Sequence, residues 1–224
     1  GEITHNNSDF IRGDEMDSTT NYSFREAVLD FFGTKIISGE DFINALAIRR
    51  HNGMSYINRQ LFNIIDCQDT RRFITEGITG IAGLILASTF QFTYIGVPYI
   101  YYGDEIGMEG GKDPDCRRCM EWEEENQNKK LLDHYKKLCQ IRKKHKELID
   151  GNVEFLEFQE DFLVFKRNIN HKVIIVMINN SNNDTMNYDL KECNYYDIYE
   201  ENKGEYHGII SIQPLSFKIL KKLI

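Results

Sequence analysis

The chain has 224 residues, with 27 Lys+Arg against 35 Asp+Glu for a formal net charge of −8. Its basic residues are scattered apart from Arg142-Lys143-Lys144 and Lys221-Lys222, which argues against the concentrated positive footprint of a nucleic-acid binder. At 41% hydrophobic and 12% aromatic it has enough apolar surface for a core, so general disorder is excluded.

The longest apolar stretch, residues 80–92, is interrupted by Ser88, Thr89 and Gln91. It falls short of the roughly 20 residues a bilayer crossing needs, so no membrane span is expected. The amino-terminal Gly1-Glu2-Ile3-Thr4-His5 lacks the basic-then-apolar layout of a signal peptide, and the chain reads as an excerpt or a processed product. Five cysteines (Cys67, Cys116, Cys119, Cys139, Cys193), odd in number and thinly spread, point to a reducing compartment and a cytoplasmic location. Cys116 and Cys119 have the C-x-x-C spacing of half a zinc site, but no second pair accompanies them, and two unpaired loop thiols without a metal are expected.

In chain order, Asn21-Tyr22-Ser23 leads into a helix over 24–32, where Phe24, Ala27, Val28, Phe31 and Phe32 share one face and Gly33 stops it. Ser38-Gly39-Glu40-Asp41 opens a second helix carrying Phe42, Leu46 and Arg49, closed by the Asn52-Gly53 turn. Residues 61–66 read as a buried strand followed by the polar run 68–72. Residues 77–92 are apolar nearly all round, as in a helix packed between a sheet and other helices. Residues 97–102 form a second strand, its early Pro98 tolerable at a strand start, with Asp104-Glu105 beyond it. A charged helix over about 128–148 is expected to be the last.

After Gly151 the texture becomes short alternating strands: 153–158, 162–167, 172–178, 186–190, 195–199 and 209–220. Turn signals at Asn168-Ile169-Asn170 and over 179–184 separate them. The pattern predicts an α/β domain over 1–150 and an antiparallel β-sandwich over 151–224. A complete (β/α)8 barrel takes about 250 residues, or roughly 31 per unit, so if this is a barrel, 150 residues hold four units and half is missing.

Carboxylates follow strands at Glu2, Asp69 and Asp104-Glu105, and in a parallel barrel all strand ends open onto one face. These motifs, in this order, resemble the α-amylase superfamily of glycoside hydrolases, specifically its neopullulanase, cyclomaltodextrinase and maltogenic amylase group. Gly1-Glu2-Ile3-Thr4-His5 is similar to the group's Gly-Glu-Ile-Trp-His, and Asp66-Cys67-Gln68-Asp69-Thr70-Arg71-Arg72-Phe73 to its Asp-Ser-His-Asp-Thr-Glu-Arg-Phe. Gly96-Val97-Pro98-Tyr99-Ile100-Tyr101-Tyr102-Gly103-Asp104-Glu105 resembles its last barrel strand, and residues 110–122, with Asp113 and Arg117, the loop after it.

The resemblance implies the C-terminal half of a TIM (β/α)8 barrel and retaining hydrolysis of α-glucosidic bonds in maltodextrins, cyclodextrins or pullulan, with no cofactor; some α-amylases bind calcium, but the residues seen here require no metal. By the match Glu2 is the acid/base and Asp69 the third, transition-state-stabilising carboxylate, while the nucleophilic Asp belongs to a strand before Glu2. The chain by itself is then expected to be inactive. His5 and Gln68 would contact substrate. Asp113 and Arg117 either clamp sugar hydroxyls or form an ordinary surface ion pair. Gln68 stands in place of His, Thr4 of Trp, Arg71 of Glu and Cys119 of Pro, which suggests drift or altered specificity. Asp104 and Glu105 are expected to support a loop, and of Tyr99, Tyr101 and Tyr102 at most one ring should be exposed. The remaining histidines read as surface or packing residues. The rival readings are a non-catalytic α-glucan-binding or assembly module and a structural fragment. Open strand edges would then be met by self-association or by a missing amino-terminal barrel half.

Overall fold

The computed structural model describes residues 1–3, 10–11, 15–48, 55–201 and 204–223. Thr4, His5, Arg49, His51 and the Asn52-Gly53 turn lie outside them.

Three short parallel strands, β1 (Thr20–Asn21), β2 (Phe62–Ile64) and β3 (Val97–Tyr99), form one sheet in the order β1-β2-β3. Gly1 lies beside β1: its carbonyl accepts from Thr20 N at 3.1 Å and its amino group donates to Ser18 O at 2.7 Å. The helices following these strands are α1 (Tyr22–Val28), α2 (Gly39–Ile48), α3 (Ser55–Gln60), α4 (Phe73–Glu76) and α5 (Gly80–Thr93). Asn21 caps α1 by accepting from Phe24 N at 3.1 Å. The helical path continues from α1 through a π-helical turn, Leu29–Gly33, which places Phe31 and Phe32 against Phe42 at 4.8 and 5.6 Å between ring centroids.

The apolar stretch expected to be one helix from residue 77 is two elements, because Gly77 is extended and Gly80 is left-handed (φ 57°). α5 is buried along most of its length, and most of its polar side-chain atoms are hydrogen-bonded within the protein, Gln91 Oε1 excepted. Ser88 and Thr89 hydroxyls donate back to Leu84 O and Ile85 O at 2.7 and 2.8 Å. Gln91 Nε2 donates to Asn63 O (2.7 Å) and Tyr99 O (2.9 Å), and so ties the helix to the parallel sheet. That contact occupies the Tyr99 carbonyl, where β3 ends short of the expected residue 102. The predicted 61–66 strand likewise stops at Ile64, and Asp66 turns instead to Phe73 N.

The charged helix is α6 (Lys129–Lys144), capped by Asn128, and it does not run on to residue 148. His145 is extended (φ −117°, ψ 96°), and a separate short helix, α7 (Lys146–Asp150), follows. Lys221 Nζ fills the break, 2.9 Å from Glu147 Oε1 and 3.3 Å from His145 Nδ1.

Beyond Gly151 all regular elements are strands: β4 (Asn152–Phe158), β5 (Phe162–Ile169), β6 (Lys172–Asn179), β7 (Met186–Asp189), β8 (Tyr195–Asp197), β9 (Glu205–Tyr206), β10 (Ile209–Ile212) and β11 (Ser216–Lys222). Six make an antiparallel sheet in the order β4-β5-β6-β11-β8-β9, and β10 pairs with β7 in a second sheet. The sequence pattern predicts one strand over 209–220. It is broken because Pro214 has no N–H to donate and Leu215 is left-handed (φ 48°), so its halves enter different sheets. The β5–β6 turn uses Asn170 at φ 53°, as the Asn-rich signal implies.

The run Phe162-Leu163-Val164-Phe165 is explained by burial on both faces of its sheet. Leu163, Phe165, Val176 and Ile178 pack into the helical core, whereas Phe162, Val164, Met177 and Leu220 face the β7–β10 pair. One hydrophobic core thus spans the helices and the six-stranded sheet. Phe90 of α5 meets Phe165 of β5 edge-on at 5.5 Å. Arg167, fully buried, donates to Thr93 O at the end of α5 (2.6 Å) and to Gly151 O (2.8 Å), where a cation is favoured by the helix dipole. Arg142 of α6 donates to Phe92 O at 2.6 Å and also bonds Gly96 O. Gly96 sits at φ 114°, where a side chain would strike Asn63.

Candidate active site

The site is assembled where β1 and β2 end. Tyr22 opens α1 directly after β1, and Gln68-Asp69 lie in the turn after β2. Glu2, beside β1, joins them. Gln68 is the bridge: its Nε2 donates to Glu2 Oε1 at 2.8 Å and to Asp69 Oδ2 at 2.9 Å, one N–H for each carboxylate. The Tyr22 hydroxyl lies 2.8 Å from Glu2 Oε1 and 3.3 Å from Asp69 Oδ2, and its single hydrogen serves one at a time. Burial, the Cys67 contact and Glu2 hold the phenol protonated far above its ordinary range.

On the opposite side Arg117 Nη2 reaches Asp69 Oδ1 at 3.2 Å, while its Nε donates to Gln68 O at 3.0 Å and lies 2.7 Å from Asp113 Oδ1. The Asp113–Arg117 pair is therefore continuous with the Asp69 cluster. Backbone support comes from Cys116 Sγ, 3.1 Å from Gln68 O, and from Thr70 Oγ1, which accepts from Cys67 N at 3.2 Å. Glu2, Asp69, Asp113 and Arg117 are all exposed, so carboxylate oxygens and a guanidinium face one open region that can exchange hydrogen bonds with a polyol. Of the six candidate residues read from sequence, Glu2, Gln68, Asp69, Asp113 and Arg117 come together, and His5 lies outside the described residues.

Beneath this layer sits a second, fully buried one. Asp66 accepts Phe73 N with both oxygens, at 2.9 and 2.8 Å, and hydrogen-bonds Asp104. Arg72 Nη1 lies 2.8 Å from Asp104 Oδ1, its Nε donates to Cys116 O at 3.2 Å, and its guanidinium stacks on Tyr101 with 4.1 Å to the ring centroid. Burial pushes the Asp66 carboxyl up to about 6, against the hydrogen bond from Phe73. Burial and the neighbouring Asp66 raise Asp104 well above the carboxylate range. Asp104 is thus a loop support, as is Glu105, which accepts Gly103 N at 2.8 Å. Tyr101 is buried, but Tyr99 and Tyr102 are both exposed, 38% and 37%, so two rings rather than one are open because the strand ends at Tyr99.

Tyr22 is the contributor that the sequence reading missed. β1 is only two polar residues long and carries no alternation, but Asn21-Tyr22-Ser23 did sit between a polar run and a helix start, the same strand-end position that marks Asp69.

The family model for the α-amylase catalytic domain matches residues 1–151, and the chain belongs to the α-amylase family. It is 43% identical, over 99% of its length, to a cyclomaltodextrinase of Thermoanaerobacter pseudethanolicus and 42% identical, over 80%, to neopullulanase 2 of Thermoactinomyces vulgaris; it covers 39% and 31% of those proteins. Among solved structures it resembles a maltogenic amylase from S. marinus with a TM-score of 0.85 and 32% identity, over 99% of this chain and 31% of that one. The chain spans about two fifths of the length of the curated relatives it matches, or less. Among the described residues no helix is long and apolar enough to cross a membrane.

Proposed function

We propose that the chain is the carboxyl-terminal part of a retaining α-glucan hydrolase acting on maltodextrins, cyclodextrins or pullulan. Residues 1–150 would form the last four units of a (β/α)8 barrel, and residues 151–224 a C-terminal β-sandwich. Glu2 acts as acid/base, and Asp69 holds sugar hydroxyls and stabilises the positively charged transition state. The observation that carries this reading is the bridging of Glu2 and Asp69 by Gln68 and Tyr22, which puts a carboxylate beside β1 and one after β2 onto one open face.

Retaining chemistry needs a nucleophilic carboxylate about 5–5.5 Å from the acid. The family pattern places that Asp on a strand before Glu2. The proposed complement is therefore a preceding barrel half or, failing that, a second copy. Phe62, Val97 and Tyr99 on β2 and β3 are each more than a third exposed, which suits a sheet face that the remaining strands of a closed barrel would cover. Five unpaired thiols fit a reducing, cytoplasmic setting.

The test joins this chain to the barrel half of a cyclomaltodextrinase and follows hydrolysis of cyclodextrin and pullulan. Glu2→Gln should lower kcat by about 10²–10⁴-fold, the usual range for loss of a general acid. The chain alone should give no turnover. Activity that is indifferent to Glu2→Gln would defeat the assignment.

A further inference from the structure

An open cleft of about 670 Å³ adjoins Asp69 on the side away from Glu2, and its charges can be accounted for one by one. It is lined by Arg25, Asp69, Arg71, Glu76, Lys112 and Asp113. Arg25 Nη2 bonds Glu76 Oε2 at 2.6 Å and Arg71 O at 3.0 Å. Asp69 and Asp113 are both taken by Arg117, at 3.2 and 2.7 Å. The three carboxylates of the cleft are thus paired. Among the described residues the Arg71 and Lys112 side chains carry no ion pair or hydrogen bond, and both are exposed. With Arg117 included, four cations stand against three carboxylates, an excess of one, and Arg71 and Lys112 are the two left without a protein partner, although the chain as a whole is at −8.

A neutral sugar has no use for two free cations, whereas a phosphate ester offers acceptor oxygens that suit both a guanidinium fork and an ammonium point charge. We propose that this cleft is a subsite for an anionic substituent, a phosphate ester borne on an α-glucan, held by Arg71 and Lys112 while the sugar to which it is attached lies at Asp69. This deepens the reading of the site as an α-glucan site and rests on it. Arg71 also occupies one of the positions at which the Asp66–Phe73 segment departs from the family pattern, so the departure acquires a function in substrate choice.

The test measures binding by calorimetry at low ionic strength with the 224-residue chain and three probes: maltotetraose, maltotetraose carrying a 6-phosphate, and inorganic phosphate. The phosphorylated sugar should bind about tenfold more tightly than the plain one, as two charge-assisted contacts at an exposed site allow. That preference should shrink as salt is raised through 0.15 M and beyond, where the screening length drops to about 8 Å. It should vanish in Arg71→Glu with Lys112→Glu, leaving maltotetraose binding unchanged. Equal affinity for the two sugars, or a preference that survives the double substitution, overturns the subsite and leaves the α-glucan reading standing. Binding of neither sugar overturns both. Inorganic phosphate bound as tightly as the phosphorylated sugar would make this a free-anion site and overturn its role in glucan recognition.

Discussion

Two carboxylate pairs stand one above the other in this molecule. Glu2 and Asp69 are exposed and are bridged by an amide and a phenol. Asp66, three residues before Asp69, and Asp104, after β3, are 1% and 3% exposed and are neutralised by a shared hydrogen bond and Arg72. The chemistry of the groups is the same, but in the upper pair every partner can be exchanged for a ligand, whereas the lower pair has only protein within reach. Burial decides which pair is open to solvent and which holds the loops beneath it: Asp66 anchors the start of α4, and Arg72–Asp104 ties the segment after β2 to the segment after β3.

Removing the cation of the lower layer should give the largest effect. Arg72→Met leaves the buried Asp104 carboxyl without its paired guanidinium and should cost about 3–5 kcal/mol in urea unfolding. Arg117→Ala, which strips the exposed Asp69 and Asp113 of theirs, should stay within about 1 kcal/mol. Equal losses from the two substitutions would erase the contrast between the layers.

The pH dependence sharpens it further. The Asp66 carboxyl is raised from its ordinary value to about 6, so the folded state binds the proton more tightly than the unfolded chain does. That stabilisation is complete below about pH 4 and is lost as pH rises through about 6, by on the order of 3 kcal/mol. His134, buried between Ser88 and Tyr199, is lowered to about 4, so it works in the opposite sense: its share is present above about 6.5 and is lost as pH falls through about 4. Asp104, raised as well, acts in the same sense as Asp66, so between about pH 4 and 6 the buried carboxyls outweigh the opposing slope of His134 and the melting temperature should fall as pH rises. Asp66→Asn removes one carboxyl share and should flatten that fall. A variant that melts in parallel with the parent across that range would count against a raised Asp66.

The smallest expected effect lies at the upper layer. In the assembled hydrolase, Gln68→His should raise kcat/KM by about tenfold, the worth of one charge-assisted hydrogen bond. An unchanged value would remove Gln68 as a meaningful departure from the family pattern.

The sequence made the upper layer legible because its residues follow recognisable strand ends and match a motif in order. It also revealed α1, α5 and α6, whose apolar faces repeat at helical spacing, and β5 and β6, whose apolar runs are long. It did not reveal β1, whose two residues have no pattern to read. Tyr22 was hidden with it. Nor did it reveal the break at His145, since helical spacing runs straight through a residue whose backbone is turned by contacts from Lys221, 76 positions away. The proton relation of Asp66 and Asp104 was equally out of reach, because it depends on burial that two separated turns create together.

The anchoring of the last turn of α5 also limits how this chain can change length. Phe90 must meet Phe165, Gln91 must reach the carbonyls of Asn63 and Tyr99, and the Thr93 carbonyl must face Arg167. Each residue of an α-helix advances the next by about 100°, so one residue inserted or deleted between Phe90 and Thr93 would swing a contact off its target. Loops elsewhere can absorb such an event, but this last turn keeps a fixed count.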